Sequence, residues 1–125
     1  MLDIQVEHVE GYTICRPVGE LEAFTVTQLR QALARLASCP QLLIDLSHVP
    51  FLDSAGLGAL IGGIRQAREL GGYVVVACDR STLLRVLRTT GFHRLVTVAG
   101  SLEEAAKALT QSSESSPPND PDSAG

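Results

Sequence analysis

Tyr73-Val74-Val75-Val76-Ala77-Cys78 decides how the rest of this chain folds. The run is β-branched at its centre and apolar throughout, which favours a strand, and a strand with no polar alternation is buried on both faces. Such strands belong inside parallel sheets, whose crossover connections bring helices onto the faces. Directly upstream, Gly71-Gly72 closes a segment in which Leu57, Leu60, Ile61, Ile64 and Ala67 recur at helical steps, predicting a helix over roughly 55–70. Before it, Leu42 to Leu46 reads as a short apolar strand interrupted by Asp45.

The same alternation continues outward. Downstream, a helix is predicted from about Thr82 to Thr90, closed by Gly91, then a short strand from Leu95 to Val98. Ser101 and Glu104 have the spacing of a capping box, and Leu102, Ala105, Ala106 and Leu109 make the stripe of a last helix. Upstream, Thr25 and Gln28 repeat that spacing ahead of Val26, Leu29, Leu33 and Leu36, and Pro40 marks the exit. At the N-terminus Leu2, Ile4 and Val6 alternate with Asp3, Gln5 and Glu7, and Glu10-Gly11 turns the chain into a second strand, Tyr12 to Val18. Pro17 places a strand end or a sheet edge there. The order β-β-α-β-α-β-α-β-α predicts an α/β fold: about five strands, mostly parallel, four helices, and an opening β-hairpin.

The chain has 125 residues and 45% hydrophobic residues, enough for one domain with one core. That domain is expected over residues 1–111. Residues 112–125 are Ser, Pro, Asp and Gly with almost nothing to bury, so an acidic, disordered tail is expected. Net charge is −4; Glu114, Asp120 and Asp122 account for three of the 14 acids, leaving 11 against 10 bases in the body. A nearly neutral body argues against nucleic acid or an anionic membrane as partner. No apolar run approaches the roughly 20 residues of a membrane span, and the first residues lack the basic end and apolar stretch of a signal peptide, so a cytoplasmic location is expected. Cys15, Cys39 and Cys78 are widely spaced and fit neither a disulfide framework nor a metal site.

In a parallel sheet, ligands and partners gather where strands end and helices begin. Here that point is Pro50-Phe51-Leu52-Asp53-Ser54-Ala55-Gly56-Leu57-Gly58. Asp53 and Ser54 are good N-cap types, while Gly56 and Gly58 sit in first helical turns, where each glycine costs roughly 1 kcal/mol. Taken alone these residues read as structure: a cap, and glycines for helix packing, an account that suits Gly62-Gly63 better still. Gly56, Gly58 and Gly62 with Asp79 imitate a dinucleotide fingerprint, but the first glycine lies too far beyond the strand at Leu46, and the chain is too short for a second mononucleotide half. No G-x-S-x-G elbow surrounds any serine. His8, His48 and His93 are scattered, and a pair of Ser54 with His48 lacks a third member. Arg80, Arg85 and Arg88 read as a solvated helical face. No cofactor and no metal are expected.

Phe51-Leu52-Asp53-Ser54-Ala55-Gly56-Leu57-Gly58 resembles the signature of the STAS domain in its anti-sigma factor antagonist branch. The resemblance extends over nearly all of residues 2–110, including Gly19-Glu20-Leu21, Asp45-Leu46, Gly71-Gly72 and Gly91-Phe92. It implies a STAS fold and a protein that is not an enzyme. The unphosphorylated chain would bind an anti-sigma factor that is also a serine-protein kinase, freeing a sigma factor for transcription. That kinase would phosphorylate Ser54, and a serine phosphatase would reverse the step. Two positions depart from the family pattern: Ala55 follows Ser54 where the family often has Ser, and Glu22 replaces the Asp of a Gly-Glu-Leu-Asp turn. The partner-binding surface is expected to include Glu20, Phe51, Asp53, Ser54, Leu57 and Gly58, with Leu57 also on the core-facing stripe. Alternative roles on the same surface are a STAS regulatory subunit of a transporter or signalling complex, or a small-ligand or nucleotide sensor.

Overall fold

The computed structural model describes residues 1–115. The chain runs β1 (Asp3–Val9), β2 (Tyr12–Val18), α1 (Val26–Leu36), β3 (Gln41–Asp45), α2 (Ser54–Glu69), β4 (Tyr73–Ala77), α3 (Ser81–Thr89), α4 (Phe92–Leu95), β5 (Thr97–Ala99) and α5 (Leu102–Ser115). The five strands lie in sequence order in one sheet. β1 and β2 are antiparallel across the turn at Gly11, and every later pairing is parallel. β4, the run that fixed the architecture, pairs with β3 along its length and with β5 at its end. β2 meets β3 only through Thr13–Cys15, so Pro17 sits where β2 has a neighbour on one side alone and needs no second hydrogen bond.

The pleat divides the core into two layers. Cys15, Leu42, Ile44, Val74 and Val76 face a layer filled by Leu29 and Leu33 of α1, Leu60 and Ile64 of α2, Leu83 and Leu87 of α3, and Phe92 of α4. Ile14, Leu43, Val75 and Ala77 face the other way, onto Ala105 and Leu109 of α5. Four helices therefore cover one face and α5 alone covers the other.

Several details differ from the expectations. The described residues contain five helices, because Gly91, at φ +81°, starts the short turn of α4 and pushes β5 to Thr97–Ala99. Val6 is 45% exposed, since β1 is an edge strand with a neighbour on one side only. The spacing of Thr25 and Gln28 makes no capping box. The Thr25 hydroxyl turns back to the Glu20 carbonyl (2.8 Å) and the Glu22 N–H (3.1 Å), while the Gln28 amide donates to the Leu2 carbonyl at 3.1 Å. At α5 the Ser101 hydroxyl does accept the Glu104 N–H at 3.1 Å, and the Glu104 carboxylate accepts the Gly100 N–H at 3.2 Å. α5 continues to Ser115, beyond the boundary expected at 111. Residues 116–125 of the expected tail lie outside the described residues.

Candidate functional site

The C-terminal ends of β2 and β3 release two loops, residues 19–25 and 46–53, and backbone hydrogen bonds join them. Gly19 N–H donates to the His48 carbonyl (3.1 Å), Leu21 N–H to the Phe51 carbonyl (3.0 Å), and Asp53 N–H to the Leu21 carbonyl (3.1 Å). Leu21 and Leu52 form a parallel bridge and both are buried. Because extended residues alternate, burying this pair turns Glu20 and Phe51 outward, and both are exposed.

Asp53 joins the same two loops a second time. It is the N-cap of α2; one carboxylate oxygen accepts the Gly56 N–H at 2.9 Å and the other accepts the Ala23 N–H at 3.2 Å. One side chain thus satisfies an orphan donor of the helix and a donor of the neighbouring turn. Ser54 is the first residue of α2 and is exposed; its hydroxyl makes no hydrogen bond among the described residues.

The glycines of the motif separate by role. A Cβ on Gly56 would collide with the Leu21 carbonyl oxygen, so glycine lets α2 seat against the first loop. A Cβ on Gly58 would meet nothing within 4 Å, and the residue is exposed. Gly63 packs under Leu33, whereas Gly62 faces open space, so the packing account holds for one of that pair. Leu57 is half-buried and packs against the core, at the margin of the surface.

Of the six residues expected at the surface, Glu20, Phe51, Ser54 and Gly58 are exposed, Asp53 is half-buried beneath them, and Leu57 backs them. Sequence reasoning passed over Phe24, which is 94% exposed. Its signal was available: a large apolar residue outside both the strand alternation and the stripe of α1. Glu22 is drawn into the same turn, its carboxylate accepting the Phe24 N–H at 2.7 Å.

Neighbouring polar groups serve the fold. Asp45, 2% exposed, pairs with the Arg16 guanidinium at 2.9 Å and accepts the Ser47 N–H at 3.0 Å. Burial alone would raise its carboxyl, but the hydrogen bonds from Ser47 and Arg16 outweigh that and hold it below the ordinary carboxylate range. Arg80 is not simply solvated: its Nε donates to the Ser47 carbonyl at 3.0 Å, tying the start of α3 to the loop. The three cysteines are free, and burial pushes the Cys15 thiol up to about 11. The glycines of the dinucleotide-like pattern lie inside α2 rather than in a loop. Among the described residues no group of His, Cys, Asp and Glu could hold a metal ion, and no helix is long and apolar enough to cross a membrane.

Comparison with known proteins agrees with this geometry. The chain is 28% identical over 114 residues to an anti-sigma F factor antagonist of Paenibacillus polymyxa, covering 88% of this chain and 94% of that protein. It is 25% identical over 103 residues to an anti-sigma-B factor antagonist of Bacillus subtilis, covering 82% of this chain and 94% of that one. The crystal structure of an anti-sigma factor antagonist from Mycobacterium paratuberculosis superposes with a TM-score of 0.82 at 28% identity, covering 88% of this chain and 95% of that one. The STAS domain model matches residues 3–105, the whole span from β1 into α5 and with it the corner formed by Asp53 and Ser54, so the chain belongs to the STAS-domain family.

Proposed function

We propose that this chain is an anti-sigma factor antagonist that binds a partner when unphosphorylated and is switched off by phosphorylation of Ser54. The partner is an anti-sigma factor that is also a serine-protein kinase. Its capture frees a sigma factor, and a serine phosphatase resets the switch. The chain is the kinase's substrate and not itself a catalyst. The names of its relatives support the general role. The observation that carries the switch is the placement of Ser54: exposed, first in α2, and free of any internal hydrogen bond among the described residues.

A phosphoryl group adds about −1.5 to −2 charges at neutral pH. At the N-terminus of α2 the helix dipole favours that charge by roughly 0.3–1 kcal/mol, and water reaches it freely, so the isolated fold tolerates it. Against a partner, the same charge would be desolvated beside Asp53, whose carboxylate is already committed to Gly56 and Ala23. Leaving a charge unpaired in an interface costs several kcal/mol. A loss of about 3 kcal/mol weakens binding more than a hundredfold.

The test is a titration against the anti-sigma factor that co-purifies with the chain from its native cell. Ser54→Ala is expected to bind as tightly as wild type and to resist switching off. The phosphorylated chain is expected to bind more than a hundredfold more weakly, with Ser54→Asp weakened in the same direction. Equal affinity of all forms would remove the switch, and so would the absence of phosphate on Ser54 in chain isolated under signalling conditions.

A further inference from the structure

We infer that Phe24 is the apolar anchor of the docking face, that it inserts into a socket on the anti-sigma factor, and that a Lys/Arg rim surrounds the socket. This rests on the proposed antagonist role and names the part of the surface that grips.

Phe24 has no function inside the fold. At 94% exposed it contributes almost nothing to the core, whereas Phe92 is 2% exposed beneath α3. An isolated apolar residue on a surface is ordinary, but this one stands on a turn fixed at every step. Thr25 Oγ1 donates to the Glu20 carbonyl (2.8 Å) and accepts the Glu22 N–H (3.1 Å); the Glu22 carboxylate accepts the Phe24 N–H (2.7 Å); and the Thr25 N–H donates to the Glu22 carbonyl (3.0 Å). From the neighbouring loop the Asp53 carboxylate accepts the Ala23 N–H at 3.2 Å. An aromatic ring presented on a backbone already ordered loses little entropy on binding, which is the physical basis of an interface hot spot.

The surroundings define the occupant. The turn is hydrogen-bonded to the loop that carries Phe51, itself 50% exposed, so both free aromatics lie on the joined loops that lead into Ser54. The charged side chains nearest Phe24 on the joined loops, Glu20, Glu22 and Asp53, are acidic; the arginine attached to these loops, Arg80, is bound at the far end, to the Ser47 carbonyl. A complementary surface is apolar where Phe24 and Phe51 meet it and basic around them. That polarity also makes Ser54 an effective switch. A phosphate appears at the edge of an aromatic contact that depends on excluding water.

The chain contains no tryptophan, so Phe24→Trp places a single reporter at the site. In the free protein its emission is expected at the wavelength of a water-exposed indole, moving to the blue when the purified anti-sigma factor is added. Phe24→Ala is expected to bind that protein roughly thirtyfold or more weakly with an unchanged melting temperature, and Phe24→Leu to recover part of the loss. Affinity of Phe24→Ala within threefold of wild type, or emission of Phe24→Trp unmoved by a partner that binds, would overturn the anchor while leaving the antagonist role intact. If no anti-sigma factor co-purifies with the wild-type chain, the role itself fails and the anchor with it.

Discussion

Asp45 and Asp53 stand at opposite ends of one loop, and the fold uses them in opposite ways. Asp45 closes β3 from inside: it is buried, paired with Arg16 and locked to the Ser47 backbone. Asp53 opens α2 from outside: it caps the helix, holds the Ala23 turn and remains half-exposed. Around Asp45 the Arg16 guanidinium and the Ser47 N–H both have partners within the chain. Around Asp53 there are exposed aromatic rings, a serine hydroxyl with no hydrogen bond among the described residues and a helical glycine whose added Cβ would meet nothing within 4 Å. Groups satisfied internally account for stability. Groups left over, on a backbone this well fixed, are the ones the proposed docking face would use.

Breaking the inner corner should have the largest effect on the fold. Asp45→Asn keeps the shape but removes the charge that Arg16 and Ser47 hold, and hydrogen bonds to charged groups are worth about 1.5–3 kcal/mol each when one partner is lost. The folded carboxyl lies below its ordinary range, so its contribution is fully present above the unfolded value of about 3.9 and is lost as pH falls through the lower folded value. Urea unfolding should therefore show a gap between wild type and Asp45→Asn at pH 7 that narrows below about pH 4. A gap of equal size at both pH values would mean that the amide's altered hydrogen bonding, not the lost charge, is what destabilises the inner corner.

Gly56→Ala tests the joint between the corners, with a smaller net effect. The added methyl collides with the Leu21 carbonyl, and such overpacking costs about 1–3 kcal/mol, while alanine returns about 1 kcal/mol of helix propensity. A net loss of up to about 2 kcal/mol is expected in denaturant unfolding, towards the upper end because the clash is with backbone, together with weaker partner binding, because the same joint carries the Asp53–Ala23 bond. Unchanged stability would show that α2 can move away from the first loop without harm.

The architecture was legible because periodicity is a strong signal: the unbroken apolar run at Tyr73–Ala77 and the stripes of α1, α2 and α5 fix layers and order. What escaped was local. The α4 turn has too few residues for a stripe, and the failed capping box at Thr25 depended on a loop carbonyl, Glu20, that competes for the same hydroxyl. At the site, the motif marked Asp53, Ser54 and the glycines. It did not distinguish Gly56, held by contact with Leu21, from Gly58, around which no described atom lies within 4 Å of an added Cβ. Phe24 was marked by falling outside every stripe, but the fixed turn that presents it was not legible, because that turn is pinned to a loop remote in sequence.

Gly58→Ala is the smallest perturbation and the sharpest comparison with Gly56→Ala. The two glycines lie in the first turns of the same helix and carry the same propensity cost, but only Gly58 has room for a side chain. Alanine there should stabilise the free protein by about 0.5–1 kcal/mol, seen as a melting temperature raised by a few degrees. If close approach by the partner is the reason for glycine, that more stable protein should bind the anti-sigma factor less well, because the methyl stands where the partner's surface must lie. Higher stability with unchanged affinity would draw the edge of the docking face between Ser54 and Gly58. Lower stability would assign Gly58 to the fold.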